Sequence, residues 1–195
     1  GILEKEDLKR VVAQIKSLPA LPDLFVKVLG ELKSADASAQ KVGDIIARDI
    51  AMSAKVLQLV NSAFFGMRRK VESPAHAVTL LGLDVVKSLV LMVQAFSQTQ
   101  APHVRGFSMD RLWAHSLLVG QCAQAIMRKG GPDKKAADDA FMAGLLHDIG
   151  KLILAANMPD VFGRVLDLME KEGKSMLEAE RAILEVTHGE LGGYL

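Results

Sequence analysis

The stretch "MAGLLHDIGKLIL", Met142 to Leu154, decides how this chain folds and where its chemistry lies. Most of it has the apolar spacing of a buried helix. Its middle carries His147, Asp148 and Lys151, where an ordinary core helix places leucine or alanine. Read as neighbours on one helix, His147 and Asp148 diverge by about 100°. An imidazole and a carboxylate differ in reach, so both can still meet an ion in a groove alongside. Burying a carboxylate without a partner is costly, so Asp148 predicts mates elsewhere in the chain. His115, on the long preceding helix, and His188, at the start of the last one, are the candidates, and the apolar flanks of the opening stretch argue against a solvated face.

Composition frames that reading. The 195 residues are half apolar, with 24 basic and 23 acidic side chains and a net charge of +1. This length suggests one domain, or two small halves sharing a core. The balanced charge gives no general case for nucleic acid or a membrane surface. The single Cys122, in "LLVGQCAQAIM", excludes a disulfide framework and reads as a buried small hydrophobe in a reducing cytoplasm. No uninterrupted apolar run reaches the ~18 residues that span a bilayer. The best candidate, Val85 to Phe96, is broken by Lys87, Ser88 and Gln94. No signal peptide opens the chain. The expectation is a cytoplasmic protein without membrane association.

Helical periodicity dominates and no alternating strand pattern appears, so the predicted fold class is all-α, with about ten helices. "LEKEDLKRVVAQIKSL" predicts a first helix stopping at Pro19, and "LPALP" an extended link. "PDLFVKVLGELKSA" follows, with Leu24, Val28, Leu29 and Leu32 on one stripe. "SAQKVGDIIARDI", with Ser38 as its cap, and "AMSAKVLQLVNSAFF", ended by Gly66, are two short helices. Ser73-Pro74 opens "PAHAVTLLG", and Gly82 closes it. "LDVVKSLVLMVQAFSQ" is the most apolar helix. "TQAPHVRGFS" is the clearest internal link, before a long helix from about Met109 to Arg128. The loop "KGGPDKK" leads into the helix bearing the opening stretch. Two capping boxes, Ser175 with Glu178 and Thr187 with Glu190, mark the C-terminal part.

Taken singly, each histidine is more often a hydrogen-bonded core residue than a ligand. Together, His115, His147, Asp148 and His188 form a nitrogen and oxygen set suited to iron, manganese, zinc or nickel, or to no ion at all if the cluster is purely structural. Lys151 could hold a phosphate oxygen, and His188, near a helix start, lies where amides also favour anions. "SAQKVGDIIARDIAMSAKVLQLVNSAFF" also admits a helix-turn-helix reading with Arg68, Arg69 and Lys70 on phosphates. Its would-be recognition helix offers Lys55, Gln58 and Asn61 but is mostly apolar, as a core helix is. The nine methionines read as core packing. Ser53 and Ser116 have no evident base partner, and no glycine-rich phosphate loop is present.

"LLHDIGKLIL" resembles the signature of the HD superfamily of metal-dependent phosphohydrolases, and the rest of the chain resembles its HDOD (HD-related output domain) branch. The segments that carry this are "LPALPDLFVKVLGELK", "VGDIIARDIAMSAKVLQLVNSAFFG", "AVTLLGLDVVKSLVL", "LWAHSLLVG" and "HGELGGYL", in family order from about Leu18 onward. The resemblance implies one HD-like domain over residues 8–195. An N-terminal helical half, about 8–100, would pack on an HD-type half, about 107–195, that is truncated at its C-terminal end. By that resemblance His115 is the first histidine of the pattern and His147-Asp148 the doublet. His188 and Gly192 match an "H-x-x-x-G" segment of related cyclic-dinucleotide phosphodiesterases, and Lys151 the lysine after the doublet. Catalytic relatives bind metal at these positions, and the metal-bound hydroxide attacks phosphorus. In that case Asp148 and Lys151 would serve catalysis. Asn61-Ser62 matches the family's "NS" motif, expected to brace a turn.

Catalytic relatives carry further histidines and an aspartate downstream of the His188 position, and this chain stops at Leu195. Many HDOD members with incomplete ligand sets are regulatory output modules in bacterial signalling, joined to receiver or other signalling domains. The resemblance therefore implies a non-catalytic output domain with a partial or vestigial metal site. Its expected partners are receiver-, kinase- or cyclase-type proteins, with a nucleotide as an optional ligand. The rival is a metal-dependent phosphohydrolase acting on a cyclic nucleotide or another phosphoester. A nucleic-acid-binding regulator is the third reading.

Overall fold

A computed structural model of the protein describes residues 6–13, 15, 23–32, 34, 36–63, 65–98, 103–131 and 133–194, apart from the side chains at positions 7, 25, 32 and 98. Among these residues every regular element is a helix and there is no strand, as the periodicity predicts. The described residues form twelve helices: α1 Glu6–Val12, α2 Asp23–Leu32, α3 Ala39–Ala47, α4 Ile50–Val60, α5 Pro74–Leu81, α6 Leu83–Gln98, α7 Met109–Gly130, α8 Lys134–Leu146, α9 Ile149–Asn157, α10 Pro159–Glu172, α11 Met176–Leu184 and α12 His188–Tyr194. Among the described residues no helix is long and apolar enough to cross a membrane.

Local chemistry sets the boundaries. Ser38 caps α3 by accepting from the Lys41 amide, Asp49 caps α4 through Met52, and Ser73 caps α5 with Pro74 at the first helical position. Gly82 closes α5 at φ +92°, a backbone conformation that favours glycine. Both predicted capping boxes are present. Ser175 and Glu178 exchange bonds at the start of α11, and Thr187 and Glu190 do so before α12.

The helices group into two compact units that each draw on separated parts of the chain. One comprises Ala20–Ser97 and Leu117–Leu145. Here α3 packs against α2, α4 and α5, and a Cβ on Gly43 would lie 2.4 Å from the Ala75 backbone. α7 and α8 also approach closely at Gly120 and Gly144, where a Cβ on Gly144 would meet Gly120 Cα at 2.8 Å. α6 buries Val85, Val86, Leu89, Val90, Met92 and Val93, in line with its apolar sequence. Asn61 clamps the loop after α4. Its side-chain amide donates to the Val71 carbonyl at 2.8 Å and its carbonyl accepts from the Val71 amide at 2.7 Å. That is the bracing role expected of the "NS" pair. Lys55 of the suggested recognition helix donates to Ser97, while Gln58, Arg68, Arg69 and Lys70 are exposed.

The other unit comprises Gly1–Pro19, Gln98–Ser116 and Leu146–Leu195. Its core joins Leu8 and Val11 of α1, Ile153 and Leu154 of α9, Phe162 and Val165 of α10, Ala179 and Leu184 of α11, and Leu191 of α12. Phe107 meets Phe162 edge to face, with ring centres 5.4 Å apart. α9 and α12 pack backbone to backbone. A Cβ on Gly150 would lie 2.0 Å from the His188 carbonyl oxygen, and one on Gly192 would meet Ile149 Cγ2 at 3.0 Å.

Several expectations are corrected. The helix through "MAGLLHDIGKLIL" is two helices: α8 ends at Leu146, and His147 and Asp148 form the turn before α9. Apolar residues on both sides mask this break. Asp148 occupies the cap position of α9 but makes no cap hydrogen bond, because its carboxylate is engaged by other side chains. α4 ends at Val60 with Asn61 as its cap, so Gly66, at φ +57°, lies in the following turn and does not end the helix. α1 stops at Val12, and the "LPALP" link lies outside the described residues. Cys122 is exposed, since α7 has apolar residues on both faces and Cys122 is on the outer one with Leu118 and Ile126.

Gly150→Ala tests the α9–α12 contact. The added methyl must displace a backbone carbonyl, so urea unfolding should show a loss of about 1–3 kcal/mol. An unchanged midpoint would contradict this packing.

Candidate functional site

The polar residues singled out from the sequence meet around one carboxylate. Asp148 is 2% exposed, and both of its oxygens are engaged. Oδ1 is 3.1 Å from His188 Nε2 and 3.3 Å from His147 Nε2. Oδ2 is 2.6 Å from Lys151 Nζ and 3.5 Å from His115 Nε2. Each contributor has a local reason for its position. His115 lies on α7, and His147 and Asp148 are the turn between α8 and α9. Lys151 is in the first turn of α9, three residues on from Asp148, a spacing at which helical side chains meet. His188 opens α12, which the Gly150 contact holds against α9.

His115, His147 and Asp148 each place a ligating atom within 4.8 Å of the others. Their two imidazole rings are 5.1 Å apart. His188 reaches Asp148 but lies outside this threesome. The His115 and His147 side chains are open to solvent at 52% and 35% exposure, so the threesome is accessible.

One residue was missed from the sequence. Glu180 of α11 is fully buried and accepts the His188 Nδ1 proton at 2.8 Å, while its Oε2 also accepts the His188 backbone amide at 3.1 Å. A signal was present. Met176, Ala179, Glu180, Ile183 and Leu184 follow the i, i+3, i+4, i+7, i+8 spacing of a buried stripe, and Glu180 stands where an apolar residue belongs. The start of α12 was expected to favour an external anion. The chain supplies its own: Glu180 takes the His188 amide and Glu190 the Thr187 amide. Lys151, expected to hold a phosphate oxygen, holds Asp148.

Charge explains why the cluster is stable in a buried setting. Burial works against ionised Asp148, but hydrogen bonds from His188 and Lys151 outweigh it and hold the carboxyl well below its usual range. Burial likewise disfavours the His188 cation, yet bonds to Asp148 and Glu180 raise its pKa to about 9. At neutral pH His188 is therefore an imidazolium that donates from both nitrogens. Asp148 and Glu180 then face His188 and Lys151, two negative groups against two positive ones.

The donor chemistry fits a first-row divalent ion. His115, His147 and Asp148 offer two imidazoles and a carboxylate.

The metal-free protein should show a pH window set by these groups. The His188 contribution is complete below its unfolded pKa of about 6.5 and is lost as pH rises through about 9. The Asp148 contribution is present above about 3.8 and is lost as pH falls toward its depressed folded value. Denaturant unfolding of chelator-treated protein should show wild type losing on the order of 2–3 kcal/mol more than His188→Gln between pH 6 and 9.5. Equal losses would contradict the assignment.

Comparison with known proteins bears on the family and the fold. The HDOD domain model matches residues 18–195. The structure resembles that of an HDOD domain protein of unknown function from Geobacter sulfurreducens, at 27% identity and TM-score 0.76, covering 95% of this chain and 61% of that one. It also resembles a candidate phosphohydrolase from Shewanella amazonensis SB2B, at 25% identity and TM-score 0.75, covering 100% and 66%. An uncharacterized protein of Treponema pallidum (strain Nichols) is 23% identical over 185 residues, which cover 95% of this chain but only 35% of that protein. The chain thus spans about a third of that curated relative's length. With the match running through α2 to α12 and the doublet, this chain belongs to the HDOD domain family.

Proposed function

We propose that this domain is a non-catalytic output or regulatory module of bacterial signal transduction, working in the cytoplasm through contacts with other signalling proteins. Receiver-, kinase- and cyclase-type domains are the partners we would test first. The observation that carries this reading is the state of Asp148. Its two oxygens are taken by Lys151 and His188 at 2.6 and 3.1 Å, so the polar centre is complete from the chain's own side chains. Membership of the HDOD family supports the same reading. A purely structural cluster of this kind needs no turnover to explain its burial and charge balance. His115, His147 and Asp148 then stand as a partial metal site.

A second reading has its own observation. The three ligating atoms within 4.8 Å of one another, accessible from solvent, are what a metal-dependent phosphohydrolase would retain. A bound iron, manganese, zinc or nickel ion would supply Lewis-acid chemistry there. His115, His147 and Asp148 would hold it, and His188 with Glu180 would brace the carboxylate.

Protein purified without a metal-affinity step separates the two. The output reading expects substoichiometric metal and no turnover of cyclic nucleotides, cyclic dinucleotides or an activated phosphodiester, with or without added Mn²⁺. Stoichiometric metal and phosphodiester turnover, both lost in His147→Ala, would establish the enzyme instead.

A further inference from the structure

We propose that α1 is a releasable strap whose docking keeps α12 folded and thereby holds His188 in the polar cluster. α12 is weak by itself. Its seven residues include Gly189, Gly192 and Gly193, and glycine gives up more backbone freedom in a helix than any other residue. Leu191 is the residue that α12 buries. A helix of this length does not hold together alone in water, so its order comes from what packs against it. α9 does so through Gly150 and Gly192, and α1 packs against it as well.

α1 is also short, with seven residues that end in two valines. It inserts Leu8 and Val11, at 0% and 3% exposure, into the same core as Leu191. Charged groups add a latch. Arg10 of α1 pairs with the Glu185 carboxylate just past α11. Arg181 donates to the Glu185 carbonyl at 2.8 Å and to the Glu190 carboxylate of α12, also at 2.8 Å. Glu185 holds φ +64°, a left-handed position that favours glycine. A glutamate there gives up backbone ease and supplies the carboxylate that Arg10 holds. Polar contacts thus run from α1 through the end of α11 to the helix that begins with His188. The HDOD match starts at residue 18, downstream of α1, so the strap lies outside the matched segment. Drawing α1 away removes a support of α12 and leaves His188 without a fixed place beside Asp148. The device serves an output module and an enzyme alike.

Amide hydrogen exchange tests the strap. The probes are the His188 amide, which donates to Glu180, and the Leu191 amide, which donates to the Thr187 carbonyl. The Phe162 amide of α10, which donates to the Met158 carbonyl, is the reference. Leu8→Asp puts a carboxylate into the buried seat of α1 and should release it. His188 and Leu191 should then lose protection at least tenfold more than Phe162, and an equal or smaller loss overturns the proposal. Should Leu8→Asp fail to fold, the opposite intervention decides. In Cys122→Ser protein, which lacks the exposed native thiol, Arg10→Cys and Glu185→Cys are joined by a short bis-maleimide. Pinning α1 in this way should slow exchange at His188 and Leu191 at least tenfold more than at Phe162. Exchange at α12 that slows no more than at Phe162 means that α12 opens without α1, and the proposal falls.

Discussion

The constraint on which this site depends is the burial of one carboxylate. Asp148 sits 2% exposed in a turn between two apolar helices. An ion placed there without partners would cost several kcal/mol. The protein meets that demand with Lys151 from the same helix turn and His188 from a helix near the end of the sequence. His188 in turn demands Glu180, which is fully buried and satisfied by the imidazole and the amide of one residue. The result is a short chain of charges, lysine to aspartate to histidine to glutamate, that is neutral as a whole. Breaking any one link leaves a buried charge alone, so the elements that carry them, α9, α11 and α12, are tied together electrostatically as well as by packing.

Glycine gives this arrangement its room. Gly150 lets the α9 backbone approach the His188 carbonyl to a distance that no side chain permits, and Gly192 lets α12 lie against Ile149. The apolar residues of α9, Ile153 and Leu154 among them, face the core that α10, α11 and α12 share. "HDIGKLIL" therefore performs two tasks within eight residues. Its polar positions build the cluster and its apolar ones anchor it.

Much of this was legible in the sequence, and the limits have physical causes. The caps at Ser38, Ser73, Ser175 and Thr187 were readable because capping is decided within four residues. The convergence of His115, His147, Asp148 and His188 followed from the cost of burying Asp148 and from the likeness to a known family, and the geometry brings the four together. The break at His147-Asp148 was hidden, because the apolar period runs through it on both sides. Glu180 escaped notice because acidic residues on helices are usually solvated, although its place on the buried stripe of α11 marked it. Cys122 was misplaced for a related reason: on α7 apolar residues line more than one face, and periodicity alone does not say which one is covered. The role of Lys151 depends on where its ammonium points, which residue order leaves open.

The measurement that tests the central claim most directly is the protonation state of the His188 ring in metal-free protein at pH 7, read from imidazole ¹⁵N chemical shifts. The account predicts that both nitrogens carry protons, one shared with Glu180 and one with Asp148, with no titration until well above neutrality. A neutral His188 imidazole at pH 7 would contradict it, because Asp148 and Glu180 would then share a single cation and the buried cluster would carry net charge.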